Sequence, residues 1–232
     1  MRTELIVALD FNNLAEVRTL LKKASGVRFF KVGLRLFTAE GEDAVRAVRD
    51  FGGEVFLDLK FHDIPQTVAH AVEETSRLGV YSVSVHLSGG RDMLKAAAAV
   101  KGRPKLWGIS ILTSLSADDL ASVGLHHPEA AVPELARVGI AAGIDGVVCS
   151  GAEAGLVAAL KPRPQIIVPG VRPAGEAAND QKRVVSPGEA ARRGADFIVV
   201  GRPVTGAKDP GAAVQRIQEE IERALEKGGC GK

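Results

Sequence analysis

The twelve residues FLDLKFHDIPQT (56–67) read as the end of a buried strand running straight into a helix, and the chain repeats that junction along its length. Val55, Phe56 and Leu57 form an apolar run, and beyond them apolar and charged residues alternate. Successive side chains of an extended segment point to opposite faces, so Asp58 and Lys60 share one side while Leu57 and Leu59 share the other. The following IPQTVAHAVEETSRLG takes up helical spacing, with Pro65 near its start.

Seven further apolar, β-branched runs resemble the one around Phe56. The full set is Leu5–Leu9, Phe29–Gly33, Glu54–Leu59, Val80–His86, Leu106–Leu112, Gly146–Cys149, Ile166–Pro169 and Phe197–Gly201. Amphipathic stretches separate them: Leu14–Ala24, Asp43–Phe51, Thr67–Leu78, Ala131–Ala142, Ala152–Leu160, Pro187–Arg193 and Ala212–Leu225, with the alanine-rich Gly90–Val100 in the remaining slot. Near-continuous apolar strands are those of a parallel sheet covered on both faces. Eight strand–helix units without a linker predict one α/β domain, a (β/α)8 barrel (the TIM barrel architecture), in preference to an open doubly wound sheet. The barrel is expected over residues 1–227, with GGCGK at 228–232 as a flexible tail.

Composition narrows the partners. A formal net charge of +2 gives no bulk attraction for nucleic acid, so any anion site is local. Two cysteines, Cys149 and Cys230, are too few for a disulfide framework and fit a reducing cytoplasm; Cys149 reads as a small buried residue at a strand end. MRTE leads directly into LIVALD, so no signal peptide is expected, and no apolar run reaches the roughly 18 residues of a membrane helix.

Active sites of such barrels lie at the carboxyl ends of the strands, and the polar residues gather there. Asp10 ends the first run, Lys31 lies in the second, and Asp58 and Lys60 end the third; Thr113 follows the fifth, Arg172 the seventh, and Gly201 and Arg202 the eighth. Lys31 in FFKVG is either a snorkelling lysine or a site residue, and Asp10 before FNN also suits a turn. Together Lys31, Asp58, Lys60 and Asp63 are expected to neutralise and fix one another, the preorganisation that charge-stabilising catalysis needs. Two acids beside Lys60 favour its charged form, as a proton donor requires. Asp63, with Gln66 three residues on, equally suits a helix cap.

Of the five histidines none falls in a metal-ligand pattern, so no metal is expected; His62 and His86 read as structural. PGVRP (169–173) and VVGRPVT (199–205) sit where these barrels build phosphate sites. The long connection Val171–Val185, carrying Arg172, Asn179, Gln181, Lys182 and Arg183, reads as a lid over a phosphate.

VALD, DLKFHDIPQT, HLSGG, ILTSL, DGVVCS, PGVRP, NDQKR and VVGRPVT, in this order from about Leu5 to Asp209, resemble the bacterial type of the orotidine 5′-phosphate decarboxylase family. The resemblance implies decarboxylation of orotidine 5′-monophosphate to uridine 5′-monophosphate, the last step of pyrimidine synthesis, with neither metal nor organic cofactor. By matching motif, Asp10 would hold the ribose and pyrimidine side, Lys31 the ribose hydroxyls and Asp58 the departing carboxylate, while Lys60 would protonate C6. Asp63, with Ile64 beside it and Thr67 beyond, would reach the neighbouring subunit's site, implying a homodimer with shared sites. Thr113 and Ser114 would face the pyrimidine, and Arg172, Gln181, Gly201 and Arg202 the phosphate and lid. The alternative is a magnesium-dependent sugar-phosphate decarboxylase or synthase on a similar barrel with a D-x-K-x-x-D strand; HDIPQT and NDQKR favour the first.

Overall fold

The computed structural model describes residues 3–124, 127–173 and 185–229. Eight parallel strands close into a barrel in chain order: β1 (Glu4–Ala8), β2 (Phe29–Gly33), β3 (Glu54–Phe61), β4 (Ser82–His86), β5 (Lys105–Ile109), β6 (Gly146–Val148), β7 (Gln165–Val168) and β8 (Phe197–Val200), with β8 pairing back to β1. Each matches an apolar run of the sequence to within two residues at either end, except that β5 stops at Ile109, three residues short of its run. The single-domain (β/α)8 barrel is therefore what the alternation predicted.

Two apolar layers follow from the period of the strands. Side chains facing the helices, among them Val7, Phe30, Val32, Leu57, Val83, Val85 and Val147, join the helices' buried faces in one large core. Inside the barrel, Ile6, Phe29, Phe56, Trp107, Ile167 and Phe197 pack with Tyr81 as a plug. Its rings meet edge-on or tilted, Phe56 and Trp107 at 4.6 Å and Trp107 and Phe197 at 4.9 Å between centroids, which is the favoured geometry of aromatic pairs. Gly146 makes room for that plug, since a Cβ there would come within 2.7 Å of Trp107 Cδ1. The plug fills the amino-terminal part of the barrel and leaves space only at the carboxyl ends of the strands.

Three details depart from the sequence reading. Helices Leu34–Glu40 and Ala117–Ser122 were not anticipated; the first starts directly at Gly33, and Gly41, at φ 56°, separates it from Glu42–Asp50. The last helix, Pro210–Gly229, carries the fold past the expected boundary at 227, so residues 228 and 229 are helical rather than tail, and Cys230 lies outside the described residues. Asp63 is not a helix cap: Ile64 occupies that position without a side-chain bond, Asp63 Oδ1 accepts from the Ile64 amide at 2.6 Å, and Gln66 contacts the His70 ring at 2.7 Å. The helix Pro65–Arg77 starts instead on Pro65, whose missing N–H and fixed φ suit a first turn.

Candidate active site

Four charged side chains of alternating sign cross the mouth of the barrel from β1 to β3. Lys31 Nζ lies 3.3 Å from Asp10 Oδ1 and 3.5 Å from Asp58 Oδ2, and Lys60 Nζ lies 2.8 Å from the same Asp58 oxygen. Strand register explains the meeting: Gly33 pairs with Asp58 across β2 and β3, and Ala8 pairs with Lys31 across β1 and β2. Asp58 is buried, and its remaining oxygen accepts from Ser84 Oγ at 2.9 Å. Burial by itself would raise the Asp58 carboxyl, but Lys31, Lys60 and hydrogen bonds from Lys60 and Ser84 outweigh it and hold the pKa below the ordinary 3.8. The centre of the array is a carboxylate that stays ionised.

Lys60 reaches this position through an irregular strand. Phe56 and Leu57 pair with Ser82 and Val83, yet the next partner of Val85 is Phe61, so β3 carries an inserted pair of residues at the carboxylate end. Lys60 has φ 54°, the one non-glycine residue at positive φ among those described, a conformation costing on the order of 1–3 kcal/mol that surrounding structure must impose. An insertion of two leaves the inside–outside alternation intact. Asp58 and Lys60 therefore still share the inner side, and Leu59 and Phe61 still pack outward.

A cavity of about 280 Å³ opens beside the array. Phe56, Ile109, Val148 and Val199 give it an apolar floor, Lys31, Asp58 and Lys60 a charged wall, and Thr113, Ser114 and Cys149 a second, largely neutral wall. Cys149 is thus buried as expected, but it also faces the cavity. At the opposite rim, Gly201 precedes the short helix Arg202–Thr205, and a Cβ on Gly201 would lie 3.7 Å from Asp10 Oδ2, so the β8 loop abuts the charged array. Arg172, after β7, is buried; its amide donates to Val185 O at 3.0 Å, joining the two ends of the long connection. Gln181, Asn179, Lys182 and Arg183 lie outside the described residues.

Comparison with known proteins settles the ancestry. The sequence pattern of the orotidine 5′-phosphate decarboxylase / HUMPS family matches residues 3–217. The chain belongs to that family. An orotidine 5′-phosphate decarboxylase of Syntrophotalea carbinolica is 49% identical, the match covering 98% of each chain. One of Pelobacter propionicus is 48% identical, with 95% of each covered. The crystal structure of orotidine 5′-phosphate decarboxylase from Lactobacillus acidophilus superposes with a TM-score of 0.80 at 34% identity, covering 94% of this chain and 99% of that one.

The structure sorts the residues that the family resemblance singled out. Lys31, Asp58, Lys60, Thr113 and Ser114 line one cavity, and Asp10 joins them through Lys31. Asp63, Ile64 and Thr67 do not: they form an exposed strip on the loop after β3 and the first turn of its helix, with Ile64 66% exposed. The expectation that Asp63 would neutralise Lys60 within one chain is thus not met; Asp63 has no ion pair among the described residues. Sequence reasoning passed over Ser84, whose signal was available: Ser82, Ser84 and His86 occupy alternate positions of β4, on the inner side of an otherwise apolar strand. It also missed that the His62 and His86 rings lie beside one another, tilted by 31° with 5.2 Å between centroids. Burial, then His62 and Lys60, lower the His86 pKa below 6.5, with Asp58 opposing.

Proposed function

We propose that the protein decarboxylates orotidine 5′-monophosphate to uridine 5′-monophosphate, with Lys60 as the proton donor. The carrying observation is the Asp58–Lys60 contact on the wall of a nucleotide-sized cavity, in a chain so similar to proteins of that name. In the reaction the C6–carboxylate bond breaks, carbon dioxide leaves, and the electron pair stays on C6 until it takes a proton from Lys60 Nζ. The neutral amine left behind regains its proton from water.

Little resonance help exists for such a pair, so its stabilisation is largely electrostatic. An ammonium about 4 Å from the carbon is worth roughly 4 kcal/mol at an effective dielectric near 20, about a thousandfold in rate. More must come from binding energy realised in the transition state. Gly201, Arg202, Arg172 and Gln181 are assigned as phosphate contacts for that purpose. Asp58, ionised beside the substrate carboxylate, disfavours the ground state and also anchors both lysines. Thr113 and Ser114 face the pyrimidine, and Asp10 and Lys31 the ribose.

The exposed strip Asp63, Ile64 and Thr67 suits a homodimer in which it completes the partner's site, and a reducing cytoplasm suits a chain with two cysteines, of which Cys149 is buried. Among the described residues, no helix is long and apolar enough to cross a membrane.

The test is Lys60→Ala. Turnover should vanish while uridine 5′-monophosphate still binds, since the cavity floor and phosphate rim are untouched; substantial residual turnover would sink the assignment. Turnover of orotidine 5′-monophosphate by the unaltered protein in excess chelator separates this reading from the magnesium-dependent one, which predicts its loss.

A further inference from the structure

Where β3 leaves the register of β4, the Lys60 amide loses the carbonyl partner that a regular parallel ladder supplies, and a buried N–H needs another. It finds Ser84 Oγ at 2.8 Å. The same hydroxyl donates to Asp58 Oδ1 at 2.9 Å, and Ser84 is fully buried. One oxygen thus accepts from the backbone of one charged residue and donates to the side chain of the other. The polarity is specific. A hydroxyl is the smallest group that accepts and donates at once; an ionised carboxylate could not donate and an ammonium could not accept. Lys60 also holds its left-handed backbone here, so the Ser84 contact sits at the strained residue itself.

We propose that Ser84 is a positioning residue for catalysis: it locks the left-handed turn that aims Lys60 and orients the Asp58 carboxylate toward both lysines. The proposal rests on the assignment of Asp58 and Lys60 above. Neighbouring Ser82 offers the contrast, being equally buried and on the same side of β4, but with an Oγ that has no hydrogen-bond partner among the described residues. Burial of a serine inside this barrel does not by itself bring a bonding role; the position opposite the inserted residues does.

The experiment compares Ser84→Ala, Ser84→Cys and Ser84→Thr by kcat, KM, binding of uridine 5′-monophosphate, thermal midpoint and the pH profile of kcat/KM. Loss of a hydrogen bond to a charged group predicts a fall in kcat of about 10- to 100-fold for Ser84→Ala, with product binding nearly unchanged. The acid limb of the profile should move to higher pH, because the Ser84 bond is one of the groups favouring ionised Asp58. Ser84→Thr, which keeps the hydroxyl, should recover most of kcat and the original limb. Ser84→Cys preserves volume with a weak donor and acceptor, so it should fall between, and it carries the test if the alanine variant does not fold. Wild-type kcat and an unmoved acid limb in Ser84→Ala or Ser84→Cys would overturn the proposal. So would equal losses in all three variants that track the thermal midpoint alone. If the unaltered protein fails to turn over orotidine 5′-monophosphate, the functional assignment is what has failed.

Discussion

Gly33→Ala probes the charged array without touching a charge. Gly33 pairs with Asp58, and its backbone, at φ −101° and ψ −176°, is open to any residue. An added Cβ would stand 2.8 Å from Lys31 Nζ, about 0.6 Å inside the ordinary contact limit of 3.4 Å. Backbone cannot yield easily inside a barrel strand, so the ammonium must. Stretching its 3.5 Å contact with Asp58 by that amount costs about 0.7 kcal/mol at an effective dielectric near 20. The contact with Asp10 adds less, because Asp10 is 61% exposed and screened. Electrostatics alone therefore predicts a loss of a few-fold, and displacement of a group proposed to hold the ribose multiplies it, for an expected fall in kcat/KM of about 10- to 100-fold.

Stability moves the other way or not at all. Replacing a glycine whose backbone conformation suits alanine stabilises by about 0.4–1 kcal/mol through the unfolded chain, which offsets the displaced contact. The assay is chromatographic measurement of uridine 5′-monophosphate formed, run beside thermal unfolding, for Gly33→Ala, Lys31→Ala and the double variant. In the Lys31→Ala background the glycine substitution should cost nothing further, since the atom it displaces is gone. Wild-type kcat/KM in Gly33→Ala, or a full additional loss in the double variant, would refute the reasoning.

The remaining expectations concern other parts of the barrel. Ser82→Ala removes a buried hydroxyl without a partner among the described residues and should leave stability unchanged or raise it by about 1 kcal/mol, read as the urea midpoint; a clear loss would show a bond that the geometry lacks. His86, whose pKa is lowered by burial, His62 and Lys60 against Asp58, takes up its proton at lower pH in the fold than in the unfolded chain, where it does so near 6.5. Stability should then decline as pH falls below 6.5, and His86→Gln should flatten that part of the thermal-midpoint curve. If the exposed strip completes a partner's site, mixing Lys60→Ala with Asp63→Ala through unfolding and refolding should restore about a quarter of wild-type activity, because half of the dimers are hybrids with one intact site. No recovery over either variant alone would remove Asp63 from a shared site.

Strands were legible because a parallel barrel writes its two-sided burial as apolar runs, and because polar residues at their ends had little other reason to be there. Lys31, Asp58 and Lys60 came together as the alternation implied. The inserted pair in β3 was not legible for a physical reason: an insertion of two preserves the inside–outside period, and register belongs to the pairing with β4 rather than to β3 alone. Ser84 was overlooked with it, since a serine acquires its role only when an unpaired amide faces it. Helix Leu34–Glu40 was missed because it begins immediately after the last strand residue, Gly33, with no loop to announce it. The Asp63–Gln66 spacing suggested a cap, but Pro65 starts the helix there and leaves no first-turn amide at its own position to bond.

Charges held this way constrain how the site can be dissected. Asp58 and the two lysines are tolerable at low exposure only because they pair. Deleting any one leaves another buried and uncompensated, so loss of activity in such variants mixes chemistry with a disturbed neighbour. In the proposed reaction the substrate brings a carboxylate of its own toward Asp58, and its departure as neutral carbon dioxide relieves that repulsion while the lysine charge persists beside the new electron pair. A rigid array gains more from this exchange than a mobile one, because mobile charges would relax around the bound carboxylate and lower the ground state as well. Rigidity here has identifiable sources: the strained backbone of Lys60, the two bonds of Ser84 and the close approach of Gly33 to Lys31. Those neutral supports, rather than the charges themselves, are where the contribution of preorganisation can be measured apart from that of charge.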